Sequence, residues 1–271
     1  RSNCPAAFIL RDGMAALRLL RPRARISATA SALTRAPCAL YPRPMSHQLK
    51  SAPAPAARTQ LFATPVMTVE HDRPAMNAAL AAHFLADPRY WRADQAEISD
   101  SLNLADLSGE VPAFADLKDL FLSALADYCR DVGFSGAYDL SMQMFPNVAP
   151  KGHYVPSHNH VAHVAAVYYV QTPAFAGRPV IDARAPISDY WRPEEGVLIL
   201  HDPRFNASLM GAWQHFARVY PRPGLLILFP AFLWHEVTPH FSDAPRLSVA
   251  ANFTLRPKGD APVETRLDFV V

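Results

Sequence analysis

The spacing of hydrophobic residues changes from a helical period to a strand period near Gly133. Before this point, apolar side chains recur every three or four positions between Ala113 and Arg130, which predicts one apolar helix face, formed by Leu117, Leu120, Phe121, Ala124 and Tyr128. An earlier alanine-rich segment runs from Asp72 to Phe84 and has a proline in its first turn, which is typical of a capped helix. We expect both helices to pack against a sheet.

After Gly133 the period is two, and short apolar runs bounded by proline, glycine and aspartate follow one another. These runs predict eight strands, at Leu140–Val148, Val164–Val170, Pro179–Asp182, Gly196–His201, His215–Tyr220, Leu225–Phe229, His235–Val237 and Leu247–Leu255. Antiparallel strands in this number, joined by proline-rich turns, are typical of a double-sheet jelly roll. The predicted fold is therefore mainly β with flanking helices.

Composition favours a folded domain with a large core. The chain has 271 residues, half of them hydrophobic, and a single all-β or mixed domain of roughly 200 residues is ordinary. The most apolar stretch, Gly224–Pro230, is too short to span a bilayer, so we expect no membrane partner. Two of the three cysteines lie in the first 44 residues, so we expect no disulfide framework and a reducing, cytoplasmic location.

Charge is unevenly distributed along the chain. Residues 1–44 carry eight arginines and one acid, whereas the rest carries 18 basic and 23 acidic residues, a net charge of −5. A mildly acidic domain argues against a nucleic-acid partner, because phosphate binding requires clustered lysine and arginine. The basic segment has the composition of an organellar transit peptide. Because it begins with Arg1 and is followed by Met45, we favour the interpretation that it precedes the natural start.

A proline- and alanine-rich stretch, Ser51–Ala57, is typical of a linker. We therefore predict a disordered or non-native extension with its linker over residues 1–58, and one jelly-roll domain over residues 59–271. The predicted location is organellar only if residues 1–44 are a genuine transit peptide.

Three histidines are the candidate metal ligands. His158 and His160 are separated by one residue, and on an extended strand such a pair points to one face because side chains alternate. A third imidazole from a distant strand, His235, would complete a set of three and leave coordination positions open. Arg246, eleven residues after His235, would then place a cation at the open side.

Several short motifs follow one another from about residue 60 to residue 257: Leu61–Val66, His158–His160, Val167–Val170, His201–Arg204, Gly224–Pro230, His235–Pro239, Arg246–Ser248 and Asn252–Phe253. Their order and spacing together resemble the 2-oxoglutarate/Fe(II) oxygenases of the double-stranded β-helix superfamily. The resemblance implies a cupin-like jelly-roll core of that type, with Fe(II) as the metal and 2-oxoglutarate as the cosubstrate.

The resemblance also implies roles for single residues. His158 matches the first histidine of the family's iron-binding motif, His235 matches the distal one, and Arg246 matches the base that pairs with the far carboxylate of 2-oxoglutarate. Ser248 lies two residues further along the strand, faces the same side and would assist. Tyr169 is a further candidate donor to the cosubstrate. Arginine suits this role because its planar fork offers paired donors to a carboxylate.

His160 departs from the family's pattern, which has aspartate or glutamate at that position. Three interpretations remain open. His160 binds the metal itself, so that His158, His160 and His235 form the catalytic centre; Asp202 or a water fills the position; or the metal site has degenerated. We favour the first, because related sequences share the His-x-His pattern.

The implied reaction is the hydroxylation of a small-molecule or peptide substrate, with release of succinate and carbon dioxide. Two alternatives are a non-catalytic jelly-roll module that binds a carbohydrate or another small molecule, and a cupin-like three-histidine metalloenzyme that does not use 2-oxoglutarate. Arg246 discriminates among them, because without a bound anion we expect it to pair with an acid such as Asp202. We expect Asp202 to pair with Arg204 in a turn instead, and substrate contacts to lie in residues 183–195 and 204–213.

The remaining histidines are interpreted as structural. In a strand, His163 would face the opposite way from His160. His153, His201 and His240 are expected either to line the pocket entrance or, in preference, to form structural hydrogen bonds.

Overall fold

The computed structural model describes residues 63–91, 102–134, 136–183, 194–204 and 215–258. The predicted extension and linker at residues 1–58, and most of the two segments expected to contact substrate, lie outside these ranges. No helix of the described residues is long and apolar enough to cross a membrane.

Two α-helices precede most of the strands. Helix α1 (Pro74–Ala86) buries Met76, Leu80 and Phe84, one residue per turn. Helix α2 (Pro112–Asp131) buries the face that the sequence predicts, with Leu120 partly buried at its edge. The capped start predicted for the first helix is wrong in one respect. Its N-cap residue is Arg73, which forms no side-chain cap hydrogen bond. The proline predicted in the first turn is present, at Pro74.

Ten strands form two five-stranded antiparallel sheets within the described residues. In chain order they are β1 (Met67–Glu70), β2 (Tyr138–Ala149), β3 (Val155–His158), β4 (Val164–Gln171), β5 (Ile181–Asp182), β6 (Leu198–His201), β7 (Phe216–Val219), β8 (Leu225–Pro230), β9 (His235–Val237) and β10 (Arg246–Pro257). The first sheet has the strand order β1, β8, β4, β10, β2, and the second has β3, β9, β6, β7, β5.

The predicted fold class, mainly β with flanking helices and a jelly-roll core, is confirmed, and each of the eight predicted strands is present. Strands β1 and β3 were not predicted, because their sequences show too little alternation of apolar and polar residues. Each has only four residues. Strand β3 also contains Pro156, and a proline within a short run argues against a strand in sequence-based prediction.

Strand β10 separates two layers of the domain. Its odd-numbered residues, such as Leu247, Val249 and Phe253, pack with the helices in one core cluster. Because side chains alternate along a strand, Arg246 and Ser248 face the opposite side, towards the second sheet. The candidate polar residues of this strand therefore all lie in the layer between the two sheets.

A second core cluster fills that layer. Tyr169, Ile227 and Phe229 of the first sheet contact Leu198 and Leu200 of the second. Burying each large apolar side chain of this kind stabilises the fold by about 1.5–3 kcal/mol. The layer is buried and apolar beside the polar residues of β10, which determines the electrostatic environment of the site described next.

Candidate metal centre and anion cleft

The three candidate histidines converge at one end of the layer between the sheets. One ligand nitrogen from each of His158, His160 and His235 lies within 4.8 Å of the other two. The ring centroids are 4.9 Å apart for His158 and His160, 4.3 Å for His158 and His235, and 5.0 Å for His160 and His235. No aspartate or glutamate of the described residues belongs to this cluster.

Strand pairing and one loop bring the histidines together. In the antiparallel pair of β3 and β9, His158 lies directly opposite His235. The expectation that His158 and His160 share one strand is wrong, because β3 ends at His158. His160 follows the strand end, and its backbone N–H donates to the carbonyl oxygen of Ala231 at 2.9 Å. This bond, rather than strand alternation, directs the His160 ring towards the cluster.

Backbone carbonyls orient two of the rings. The Nδ1 atom of His158 donates to the carbonyl oxygen of Pro156 at 2.8 Å, and that of His235 donates to the carbonyl oxygen of Leu233 at 2.9 Å. A carbonyl oxygen only accepts, so these Nδ1 atoms carry the ring proton. In the neutral form of each ring, the Nε2 lone pair is therefore the one available to a metal ion, as in histidine ligands whose other nitrogen is held by an outer partner.

Burial keeps two of the three rings neutral. Together with a smaller effect of the neighbouring His158 ring, it lowers the pKa of His235 to about 3 and that of His160 to about 4. Neutral imidazole is the form that binds metal ions. The Nε2 atoms of His160 and His235 lie 3.2 Å apart. Two neutral rings at that distance need a proton or a cation between these nitrogens.

The spacing fits a transition-metal ion. Two nitrogen ligands at about 2.1 Å from one ion, with an angle of roughly 90–110° between them, are about 3.0–3.4 Å apart. The Nε2 atoms of His160 and His235 lie within that interval. The donor set and its spacing thus fit a divalent ion such as Fe(II).

Asn252 contacts the third ring. Its side-chain Nδ2 lies 3.4 Å from Nδ1 of His160, and the two groups come from chain positions 92 residues apart. An amide group presents either its NH₂ or its carbonyl to a ring nitrogen, so Asn252 suits either tautomer of His160. Asn252 closes the motif series in the sequence, yet spacing alone contains no signal for this contact.

Asp202 is not part of the cluster. Its carboxylate accepts hydrogen bonds from the backbone N–H and the guanidinium of Arg204, with a closest charge separation of 2.7 Å. It therefore forms the predicted turn with an ion pair. The guanidinium of Arg204 holds the pKa of the Asp202 carboxyl below its usual range.

Arg246 is a buried cation without a partner acid among the described residues. Arg246 is only 3% exposed. Its Nη1 donates to Ser248 Oγ at 3.3 Å, and its guanidinium carbon lies 5.2 Å from the centre of the Tyr169 ring. Nε of Arg246 is buried with no hydrogen-bond partner. Burial lowers the pKa of Arg246, but an arginine stays protonated in a protein.

Tyr169 provides a second unsatisfied group beside this cation. It lies opposite Ser248 in the pairing of β4 with β10, and its buried hydroxyl has no hydrogen bond of normal geometry. Burial raises the pKa of Tyr169 to about 12, against the effect of Arg246. An unpaired buried charge costs several kcal/mol. Arg246, Tyr169 and Ser248 thus form a cleft that is chemically suited to a carboxylate.

Two further histidines lie at this end of β10. Nε2 of His240 donates to the carbonyl oxygen of Ala244 at 2.8 Å, whereas its Nδ1 and that of His153 are buried without partners. The sequence indicated a pocket entrance or structural bonds for both residues. By contrast, His163 is structural, since its Nδ1 accepts from the backbone N–H of Leu255 at 3.0 Å.

A separate groove of about 420 Å³ lies on the outer face of the second sheet. Tyr154, Phe216, Arg218 and Glu236 are among its lining residues, and none of the six candidate site residues lines it.

Comparison with known proteins gives a family match over part of the chain. Residues 143–252 match a family described as "Putative 2OG-Fe(II) oxygenase". The matched range contains His158, His160, His235 and Arg246, together with Tyr169 and Ser248. The family resemblance predicted from the sequence is confirmed over this range, and with it Fe(II) and 2-oxoglutarate as the metal and cosubstrate of the family. No curated protein matches the chain.

Solved structures of low sequence identity also match. A prolyl-4-hydroxylase from Pseudomonas putida is 17% identical, with 72% of this chain and 89% of that chain covered and a TM-score of 0.45. HygX from Streptomyces hygroscopicus with nickel and 2-oxoglutarate bound is 16% identical, with coverages of 72% and 83% and a TM-score of 0.44. A prolyl hydroxylase from Trichoplax adhaerens, in complex with a hypoxia inducible factor peptide fragment, is 15% identical, with coverages of 70% and 83% and a TM-score of 0.42.

Proposed function

We propose that this chain is an Fe(II)- and 2-oxoglutarate-dependent oxygenase that hydroxylates a small-molecule or peptide substrate. His158, His160 and His235 hold the iron, and Arg246, Ser248 and Tyr169 bind the far carboxylate of 2-oxoglutarate. One observation carries the proposal. The buried guanidinium of Arg246, which pairs with no acid of the described residues, faces the same layer between the sheets as three histidines spaced for one ion.

Iron bound at the histidines supplies the redox chemistry that couples oxidation of 2-oxoglutarate, with release of succinate and carbon dioxide, to hydroxylation of the substrate. The residues of the chain position and neutralise the reactants. Carbonyl oxygens of Pro156 and Leu233 hold two imidazoles with Nε2 towards the ion. The apolar cluster around Phe229 excludes water beside them, which strengthens each electrostatic contact in the site.

His160 as the third ligand makes the protein's ligand set neutral. A site with two histidines and one carboxylate removes one unit of charge from the ion, whereas three imidazoles remove none. The two carboxylates of 2-oxoglutarate offset this charge and that of Arg246 when the cosubstrate binds. We therefore expect metal and cosubstrate to stabilise each other's binding more strongly here than in a site that has a carboxylate ligand.

Arg246 also separates this function from the two alternatives. A cupin-like metalloenzyme without 2-oxoglutarate has no use for an unpaired buried cation, and a structural arginine would pair with an acid. Here the candidate acid identified from the sequence, Asp202, is paired with Arg204. The cleft around Arg246 thus favours a dicarboxylate cosubstrate.

Turnover without substrate tests the proposal. The full chain, loaded with Fe(II) under ascorbate, is incubated with 2-oxoglutarate and oxygen, and succinate is quantified. We expect slow succinate formation that is lost in His235→Ala and in Arg246→Met, with His83→Ala as the matched control because His83 lies on α1 and bonds Tyr90. If succinate is absent and Arg246→Met leaves 2-oxoglutarate binding unchanged, the proposal is wrong.

A further inference from the structure

The turn between β2 and β3 is tied to the connection between β9 and β10. Gly152 N–H donates to the carbonyl oxygen of His240 at 2.5 Å, and His240 N–H donates back to the carbonyl oxygen of His153 at 3.0 Å. The neighbouring Lys151 and Asp243 form a surface ion pair at 2.8 Å. These bonds hold the His153 and His240 backbones together at the end of the domain where β10 begins.

Arg246 lies at the same end. It is the first residue of β10 and is paired with Ala149, the last residue of β2. The turn that carries His153 begins directly after Ala149, and the connection that carries His240 ends at Arg246. Two histidines thus lie beside the proposed carboxylate cleft, from two different segments of the chain.

Both histidines contain a buried ring nitrogen without a partner. Seven buried side-chain nitrogen or oxygen atoms of the described residues lack a hydrogen bond, and four of them belong to His153, His240, Arg246 and Tyr169. An unsatisfied buried polar group costs about 1–3 kcal/mol. Such a concentration of unsatisfied groups at one end of one strand indicates that a polar ligand binds there, rather than independent packing faults. Because Nε2 of His240 donates to Ala244, the Nδ1 atom of its neutral ring can only accept, so His240 acts through a neighbouring donor rather than on an anion directly.

The charges around His153 favour an anion. His153 is half-buried, and burial, the Arg246 cation and the neighbouring His240 all lower its pKa. The two described acids on or bonded to the β9–β10 connection have other partners, since Asp243 pairs with Lys151 and the carboxylate of Glu195 accepts from Phe241 N–H and Ser242 Oγ. A carboxylate placed between Arg246 and His153 would offset the repulsion between these two residues and would favour a protonated His153 ring.

We propose that His153, supported by His240, is a further binding residue for the far carboxylate of 2-oxoglutarate and determines selectivity for a dicarboxylate over a monocarboxylate keto acid. This inference rests on the proposed function. His153 donates a hydrogen bond from its ring to the carboxylate oxygen that Arg246 leaves free. Binding of the dicarboxylate is then accompanied by uptake of a proton near neutral pH.

Ligand truncation tests this role without turnover. The full chain is loaded with Ni(II), and the dissociation constants of 2-oxoglutarate and of 2-oxobutyrate, which lacks the far carboxylate, are measured by calorimetry at pH 6.5 in two buffers of different ionisation enthalpy. We expect His153→Leu to weaken 2-oxoglutarate binding about tenfold or more, the effect of losing a hydrogen bond to a charged group. The affinity for 2-oxobutyrate should stay within about twofold, and proton uptake should disappear.

Two variants sharpen the result. His153→Gln keeps a donor without a titrating group, so we expect it to restore part of the affinity but none of the proton uptake. His71→Leu is the matched control, because His71 is a partly buried histidine with an unpaired ring nitrogen on the β1–α1 connection. It should leave both ligands unaffected. Thermal unfolding of each variant verifies that the fold is retained.

The outcomes separate this inference from the function on which it rests. If the wild-type chain binds neither keto acid in a metal-dependent manner, the proposed function itself is wrong. If the wild-type chain prefers 2-oxoglutarate and His153→Leu changes both affinities equally or neither, the function stands and the role of His153 is overturned.

Discussion

The Nε2 atoms of His160 and His235 lie 3.2 Å apart, although the two residues are separated by 75 positions in the chain. Two neutral imidazoles at this distance repel each other through their lone pairs unless a proton or a cation lies between them. The same distance suits two ligands of one divalent ion. This relationship makes the choice of the third ligand testable.

The first prediction concerns the chemical identity of that ligand. His160→Ala should weaken Co(II) binding by more than about 100-fold, because the loss of a direct ligand exceeds the effects of about 10–100-fold that the loss of an outer partner typically produces. His160→Asp should retain metal binding, since it creates a site with two histidines and one carboxylate. The visible absorption of Co(II) during titration measures both variants. Equal affinity of His160→Ala and the wild-type chain would show that His160 is no ligand.

The second prediction concerns Asn252. Its amide contacts Nδ1 of His160, so Asn252→Ala should lower metal affinity about tenfold through loss of ring orientation. Asn252→Asp should preserve the contact, because the carboxylate can accept a hydrogen bond from a protonated Nδ1 of His160. Glutamine is one methylene longer than asparagine and would not place its amide at the same point. Metal titrations of the two variants, with thermal unfolding as the control for the fold, give the comparison. An Asn252→Ala variant with unchanged affinity would assign the amide to packing only.

The third prediction concerns Arg246. Replacing this buried and unpaired cation by Met should leave the free energy of unfolding unchanged or increase it, because a buried charge without an acid is unfavourable. The same substitution should weaken 2-oxoglutarate binding by roughly 30-fold or more, the typical consequence of truncating one member of a buried charge pair. Urea unfolding and calorimetric titration measure the two effects separately. A large loss of stability with normal binding would identify Arg246 as a structural residue.

The fourth prediction concerns acid sensitivity of the metal-free protein. In the unfolded chain a histidine takes up its proton near pH 6.5, whereas burial lowers the pKa of His160 to about 4 and that of His235 to about 3 in the folded protein. Between these values the unfolded state binds more protons, so stability is complete above pH 6.5 and is lost as the pH falls. The expected loss from pH 6.5 to pH 5 is up to about 2 kcal/mol for each histidine.

Urea unfolding in the presence of a chelator checks this pH dependence. His235→Leu removes one titrating group, so its stability should depend less on pH than that of the wild-type chain. Parallel pH profiles of the two proteins would contradict the prediction. Addition of metal should stabilise the wild-type chain most strongly above pH 6.5, where the imidazoles do not need to lose protons in either state.

The fifth prediction concerns the Tyr169 hydroxyl. Since this buried hydroxyl forms no hydrogen bond of normal geometry, Tyr169→Phe should stabilise the ligand-free protein or leave it unchanged. Affinity for 2-oxoglutarate should fall about three- to tenfold, because one neutral donor to the carboxylate is lost. Tyr168→Phe is the matched control, as Tyr168 faces the helices and bonds Asn77. The control should lose stability and keep its affinity for 2-oxoglutarate.

Much of the fold is predictable from the sequence because burial has a period. The alternation along β10 and the helical spacing along α2 each predicted the buried face correctly. Where the period is short or interrupted, as in β1 and β3, prediction fails. The cap of α1 was also predicted wrongly, since Arg73 occupies the N-cap position and forms no side-chain cap hydrogen bond, whereas the proline in the first turn was predicted correctly.

The sequence by itself determined which chemical groups this protein has and on which side of each strand most of them lie. Only the tertiary structure decided which of them meet. That His160 reaches the cluster from beyond the end of β3, that Asn252 contacts it, and that no described acid pairs with Arg246 all depend on distances between segments far apart in the chain. The physical reason is that periodicity is a local property of the backbone, whereas the partner of a buried charge is determined by packing of remote strands.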